Sequence, residues 1–323
     1  MKPETNDTKS SEILSCTPEV TVIVVTYNQD LNRILRTLNS IVIQEEISIE
    51  IIICDDGSEI RFENELKSYF SSKNFCRYTL IFHDANRGTV SNYYSGLSRA
   101  KGRYTKLISP GDYFTDKKIL NRWVRFLQEK NAEWSFSDAY YYRNNEGKIE
   151  FIREKARPQI IEPYKKGKAA ECIWNYVVLQ DIANGASIIG TTDVHLRYCR
   201  IIREEGVKYA EDHIYRLLML HGIVGCYFPA VTIYYEYGTG VSTSFDPKWG
   251  GKLAEDKIKL IQILNDYAVT DPQKRMADAM RKSRNKSKLK KLFIRGKLYL
   301  WLKRHYFPRL TPIPDEADQY ESL

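Results

Sequence analysis

The sequence predicts an α/β protein, a mostly parallel sheet flanked by helices and followed by a basic helical extension. Three observations lead there. Short β-branched apolar runs alternate with segments of helical 3/4 spacing over the first 112 residues. Each run ends in polar or turn residues. Basicity is confined to one end: residues 279–314 hold 12 Lys/Arg and no Asp/Glu, which leaves the rest of a +8 chain at −4.

Val20–Tyr27 (VTVIVVTY) reads as a strand closed by Asn28, and residues 29–44 space Leu31, Ile34, Leu35, Leu38, Ile41 and Val42 as a helix. The next strand, Ile49–Cys54, belongs to the stretch Glu50–Ser58 (EIIICDDGS). There a fully apolar run is stopped by Asp55-Asp56-Gly57-Ser58, as in a buried parallel strand. Carboxylates at such a strand end either line a ligand cleft or cap a turn. A helix over 61–71, the strand Tyr78–Phe82, a helix Val90–Ala100 with Gly102 as its C′ residue, and the strand Arg103–Ile108 complete a β-α-β-α-β-α-β series. Right-handed crossovers bring the four polar clusters after the strands to one cleft.

Beyond Asp112 the pattern loosens. It reads as helix Ile119–Gln128, strand Trp134–Tyr141, a hairpin turn at Asn144–Gly147, helix 168–180, strand Ala186–Ile189, helix Val194–Ile202, helix Glu211–Leu220, strand Cys226–Tyr235 and an amphipathic helix 252–268. His213 and His221 are eight apart on one predicted helix, not the i, i+4 of a paired metal site, and read as structural or solvent-facing.

Length suffices for one large domain or two modest ones, and 43% hydrophobic with 28% charged residues is ordinary for a soluble protein. The six cysteines are scattered without CxxC or zinc spacing, which suits reduced thiols in a cytoplasmic setting. The first 18 residues form neither signal peptide nor span. No stretch reaches the roughly 18 apolar residues of a membrane helix. Neither GxGxxG nor GxxxxGK[ST] follows the first strand, so neither familiar pyrophosphate loop is present.

Five short motifs recur in order: Thr26-Tyr27-Asn28, CDDGS within Ile51–Ser58, Asn86-x-Gly88-x-x-x-Asn92, Ala100-x-Gly102-x-Tyr104 and Glu211-Asp212. Over Val20–Val241 the chain resembles the family 2 glycosyltransferases, inverting enzymes with the GT-A fold. The resemblance implies a polar leader at 1–18, a GT-A domain at 19–245 (nucleotide-binding half 19–115, acceptor-binding half 116–245) and a helical region with a basic amphipathic tail at 246–323. It implies that Thr26, Tyr27, Asn28 and Asp55 hold the base and ribose of a nucleotide-sugar, a UDP-sugar foremost. A carboxylate, acceptor-only, suits the N–H of uracil. Asp56 joins this pocket or serves the turn. Asn86, Arg87 and Gly88 would border the diphosphate, with Asn92 orienting the loop and Arg87 otherwise a solvated charge.

At Leu107–Phe114 (LISPGDYF) the chain departs from the family. The DxD carboxylates fall on Ser109 and Gly111, leaving Asp112. Either Asp112, helped by Ser109, holds a divalent metal (Mn²⁺ or Mg²⁺), or cationic side chains neutralise the diphosphate. By resemblance Asp212 is the general base beside Glu211, against the alternative that both acids only favour a helix N-terminus. Tyr237–Ser242 is expected to be a loop closing over the donor.

The basic tail Arg281–Arg304, interleaved with Leu, Phe and Trp, suits an anionic membrane surface on the inner face of the cell membrane. A partner-binding helix is the alternative, and nucleic acid is disfavoured by the acidic remainder of the chain. The acceptor implied is a lipid-linked sugar in surface polysaccharide assembly. A noncatalytic scaffold subunit that kept the fold is the competing class, and a nucleotidyltransferase lacks its Gly-rich loop.

Overall fold

The structure, a computed structural model, describes residues 17–145, 148–156, 158–240, 246–284 and 286–307. The predicted series is present: β1 Val20–Thr26, α1 Leu31–Val42, β2 Ile49–Asp55, α2 Glu63–Ser72, β3 Tyr78–Phe82, α3 Thr89–Leu97 and β4 Tyr104–Ile108. β1, β2 and β4 are buried throughout, which is why apolar residues occupy both faces and do not alternate, with Glu50 and Lys106 as buried charged exceptions. β1 pairs in parallel with both β2 and β4, and β2 with β3, so all four carboxyl ends lie along one edge.

The second half is mixed. It holds β5 Tyr113–Phe114, α4 Ile119–Glu129, β6 Trp134–Asn145, β7 Lys148–Ala156, β8 Ile188–Thr191, α5 Thr192–Glu204, α6 His213–Leu220 and β9 Cys226–Glu236. The described strands form one nine-stranded sheet ordered β3-β2-β1-β4-β8-β6-β9-β5, with β7 paired to β6. The β6–β7 hairpin closes with Asn145 opposite Lys148, as the turn signal predicts. The helix expected at 168–180 is a short α-helical turn, Ala169–Ile173, continued as a π-helix over Trp174–Leu179.

Three helices close the described chain: α7 Lys248–Asp266, α8 Asp271–Ser283 and α9 Lys288–His305. α8 is absent from the predicted elements, although Thr270-Asp271-Pro272-Gln273 is a capping box with Pro inside the first turn. The tail read as one basic segment is thus the end of α8 and the whole of α9.

Alternation divides the core in two. Val22, Val24, Ile51 and Ile53 face one cluster, with Leu38, Trp123 and Phe228. Ile23, Val25, Ile52 and Cys54 face the other, which continues through Leu260, Met276 and Leu302, so α7, α8 and α9 share a core with the sheet.

Gly102 is not a helix C′ residue. α3 ends at Leu97, and a Cβ at Gly102 would stand 2.4 Å from the Thr21 backbone nitrogen, so the glycine is required by close approach to β1. The five described cysteines are free thiols, four of them buried. No helix among the described residues is long and apolar enough to cross a membrane. The leader up to residue 16 and the chain from 308 onward lie outside the described residues, as does the loop Tyr237–Ser242 from 241.

Candidate active site

A cavity of about 420 Å³ opens at the carboxyl edge of β1, β2 and β4 and is walled on the far side by α6 and α7. It gathers Thr26, Tyr27, Asp56, Asn86, Gly88, Asn92, Ser109, Asp112, Glu211 and Asp212 from the residues the sequence singled out. Asn28, Asp55, Arg87 and Gly111 are not among its lining residues.

The two adjacent aspartates face different hollows. Successive strand residues face opposite sides. Asp55, in register with Thr26, points with Ile51 and Ile53 toward α1, where it borders a much smaller hollow. There it accepts hydrogen bonds from Thr26 Oγ1 (2.7 Å), Ser58 N (2.8 Å) and Ser58 Oγ (2.6 Å). Asp56 faces the main cavity and accepts from Arg87 N and Gly88 N, each at 2.8 Å. One carboxylate therefore ties β1 to the turn after β2, and the other fixes the loop leading into α3.

Asn28 supports the same turn. In a left-handed conformation (φ 47°), it donates its N–H to Ser58 Oγ at 2.7 Å, and its Oδ1 accepts from Glu59 N at 3.0 Å. Arg87 contributes its backbone N–H, with its side chain outside the cavity. Gly88 has φ 90°, and a Cβ there would stand 2.6 Å from Lys208 O; only glycine lets this loop meet the segment before Glu211. Asn92 donates to Cys54 O at 2.8 Å, while its buried Oδ1, on a residue lining the cavity, has no partner.

The turn Ser109–Asp112 is pinned to α1 by Thr37, whose Oγ1 donates to Asp112 O (2.8 Å) and accepts from Gly111 N (3.0 Å). Gly111 has φ 102°, and a Cβ built on it would lie 2.1 Å from Glu236 Oε2 and 2.6 Å from Arg33 Nη2. The space beside the second DxD position is thus taken by an ion pair from α1 and the end of β9, Arg33 Nη2–Glu236 Oε2 at 2.6 Å. Gly111→Asp, which writes the acid back, is expected to destabilise the fold by about 2–5 kcal/mol through left-handed strain and overlap. Thermal unfolding checks it, and an unchanged Tm would refute the packing described.

Asp112 does not offer the open carboxylate expected of it. It is 4% exposed, and its Oδ1 accepts from Glu236 N at 3.0 Å. Burial pushes its pKa up to about 7, against the influence of that hydrogen bond and of Lys106. Lys106, fully buried in β4, is brought down to about 7 by the same desolvation, and its Nζ donates to Ala186 O at 2.6 Å. A divalent cation does not fit this donor set. Gly111 supplies nothing, Glu236 is held by Arg33, and Asp112 is buried with one carboxylate oxygen already accepting from Glu236 N. Among the described residues no group of three His, Cys, Asp or Glu gathers as a metal site.

Glu211 and Asp212 line the opposite wall. Burial and the Asp212 charge push Glu211 up to about 8. Burial also pushes Asp212 upward, but His213, whose Nδ1 stands 3.5 Å from Asp212 Oδ1, and the Arg216 charge bring it below its ordinary value. The Asp212 side chain keeps 28% exposure. The two neighbouring acids thus lean in opposite directions, Glu211 toward its protonated form and Asp212 toward its ionised one. His213 lines the cavity, whereas His221 is structural, its ring nitrogens meeting Tyr198 Oη (2.8 Å) and Tyr267 O (2.9 Å).

Sequence reasoning missed the residue that sets this wall. Asp256 of α7, 1% exposed, accepts from Lys208 N (3.1 Å), Tyr209 N (2.7 Å) and Ala210 N (3.1 Å), clamping the segment that carries Glu211-Asp212. Arg33, Arg216, Glu236, Trp249 and Lys257 also line the cavity unannounced. A buried acid inside an amphipathic helix was the one available signal for Asp256.

Residues 21–181 match the family profile described as Glycosyl transferase family 2. An uncharacterized glycosyltransferase of Rickettsia felis is 32% identical over 162 residues, 48% of this chain and 26% of that protein. The UDP-Glc:alpha-D-GlcNAc-diphosphoundecaprenol beta-1,3-glucosyltransferase WfaP of Escherichia coli is 30% identical over 38% of this chain and 46% of its own length. The chain therefore spans between about a quarter and a half of these curated relatives. Among solved structures, S. aureus TarS 1-349 in complex with UDP-GlcNAc superposes with a TM-score of 0.51 at 15% identity, covering 87% of this chain and 86% of that one. The full TarS structure gives 0.52 at 14% identity, covering 85% and 45%. This likeness establishes the architecture.

Proposed function

The chain belongs to the family 2 glycosyl transferases, with their GT-A fold, and on that premise we propose that it moves one sugar, with inversion, from a nucleotide-sugar to a hydroxyl of a sugar acceptor. The observation that carries the reading is geometric: Asp212, its side chain 28% exposed, lines with Glu211 the same cavity as Thr26, Tyr27 and Asn86. Asp212 takes the acceptor's hydroxyl proton, the oxygen attacks the anomeric carbon, and the nucleoside diphosphate departs from the opposite face. Tyr27, 42% exposed at the end of β1, offers a ring for the base, and Thr26, held by Asp55, lies next to it. Asp55 acts on the base pocket through Thr26 and Ser58, and Asp56 through the Arg87-Gly88 backbone. Negative charge arriving at Ser109–Asp112 meets the Arg33 guanidinium, and no step is assigned to a metal.

Similarity to WfaP, whose name specifies a UDP-glucose donor and a diphosphoundecaprenol-linked acceptor, supports a UDP-sugar and a lipid-linked acceptor for this chain. Thermal-shift measurement with UDP-, GDP- and dTDP-sugars, with and without Mn²⁺, tests the donor pocket. A UDP-sugar is expected to raise Tm equally in both conditions. Silence from every nucleotide-sugar would remove the donor pocket, and stabilisation that requires Mn²⁺ would overturn the metal-free diphosphate site.

The site's acceptor half sits beside α9. Leu289, Leu292, Phe293 and Leu300 are 64–80% exposed at helical spacing, while Leu298 and Leu302 anchor the helix in the core. With Lys288, Lys291 and Lys297 beside them, these residues form a face for an anionic bilayer. Sedimentation with phosphatidylglycerol but not phosphatidylcholine vesicles is the expected result; equal sedimentation of a Leu292→Glu/Phe293→Glu variant would refute this face.

A further inference from the structure

We infer that Arg216 and Lys257 form a second anion site in the cavity wall, one that takes phosphoryl oxygens carried by the acceptor. Arg216 lies one helical turn beyond Asp212, so the two side chains rise from the same side of the α6 N-terminus. It is 7% exposed and lines the cavity, yet its buried Nε and Nη1 have no hydrogen-bond partner among the described residues. Nor does any carboxylate come within ion-pair distance of it there; the ionic neighbour of Asp212 is His213. A guanidinium carries five donors and stays charged at any working pH. Removing the Nε and Nη1 donors from water without a partner is a costly arrangement for a protein to keep. The unanswered donors belong to a residue that lines a cavity, and a cavity can be filled.

What fills it must be anionic. Lys257 enters the same cavity from α7, on the helical face that also presents Trp249 and Leu253. Burial first, then the charges of Arg216, Lys291 and Arg295, hold the Lys257 pKa below its ordinary value, so this corner is crowded with like charge. Arg295, from α9, has its own buried Nε unpartnered. Three helices thus bring cations together, with Asp212 one turn from Arg216 as the acid whose charge it feels and no carboxylate in direct ion-pair contact with Arg216 among the described residues. The planar fork of arginine beside a lysine suits the paired oxygens of a phosphoryl group.

Two carriers could bring that group, the donor's diphosphate or a phosphate-anchored acceptor. Position favours the acceptor. The cations stand on the wall of Asp212, where the attacking hydroxyl must lie, and α9 leads from them to the exposed apolar stripe. The carrier's identity rests on the transferase reading; the anion site does not.

The test is calorimetric titration of inorganic pyrophosphate and of UDP into the full chain and its Arg216→Gln and Arg216→Lys variants. It is paired with transfer rates to a short-chain prenyl-diphosphate sugar and to the matching neutral alkyl glycoside. Pyrophosphate is expected to bind about 10–100-fold more weakly to Arg216→Gln, with partial recovery in Arg216→Lys. UDP affinity should hold, and kcat/KM should fall further for the diphosphate acceptor than for the neutral one, whose smaller loss reports the lost Arg216 charge beside Asp212. An equal loss of UDP affinity would overturn the acceptor assignment and give the site to the donor. Unchanged pyrophosphate binding in folded Arg216→Gln would overturn the site itself. The ligand-free Tm gives a second readout: deleting an unanswered buried charge should leave it level or higher. A large fall would reveal an internal partner and overturn the inference. Arg216-dependent pyrophosphate binding by a chain that binds no nucleotide-sugar would sink the transferase reading and leave the site standing.

Discussion

Asp212→Asn is expected to lower the transfer rate by about 10²–10⁴-fold while nucleotide-sugar affinity stays within a few-fold of the parent. The amide keeps the shape and size of the carboxylate but cannot take a proton from the acceptor. Glu211, its neighbour, is pushed upward by burial first and then by the Asp212 charge, which disfavours it as a replacement base. The pH profile carries a second part of the prediction. Because the Asp212 pKa lies below its ordinary value, the acid limb of kcat/KM should fall below the ordinary carboxylate range and not in that of a raised carboxylate. Steady-state kinetics together with donor titration separates the outcomes. A variant that still transfers at more than a tenth of the parent rate would remove Asp212 from the mechanism.

Asp256→Ala should be nearly as damaging, by a different route. Three backbone N–H groups from consecutive residues lose one acceptor that is 1% exposed. Charge-assisted bonds of this kind put the loss at about 3 kcal/mol or more, a fall in Tm of the order of 5–10 °C. Asp256 touches no substrate; it is a positioning residue for Glu211-Asp212. Its loss should therefore lower kcat with little change in the donor KM, and Asp256→Asn, which keeps one accepting oxygen, should recover part of both. If Asp256→Ala lost stability but kept its kcat, the clamp would be structural only.

Much of the first half was legible because buried parallel strands write themselves as uninterrupted apolar runs: VTVIVVT and IEIIICD mark β1 and β2 to within a residue. The edge on which the polar clusters meet followed from the crossover rule. Which of Asp55 and Asp56 faces the ligand did not. Alternation dictates that one of the two points away, but only the register of Thr26 against Asp55 says which. The two-residue β5 was too short to carry a period. The Arg33–Glu236 pair joins positions 203 residues apart, and no local pattern announces it. That pair also explains the degenerate LISPGDYF turn, since Gly111 is the residue that leaves room for it. The Thr270–Gln273 capping box was readable and was passed over beside the charge of the tail.

The Asp256 clamp also puts a clock on the molecule. The segment before Glu211 is held by an acid that leaves the ribosome 46 to 48 residues later. On the transferase reading, the residues proposed to hold the donor are all synthesised before Asp256, so a nascent chain completes the first four strands before the proposed proton acceptor has a fixed address.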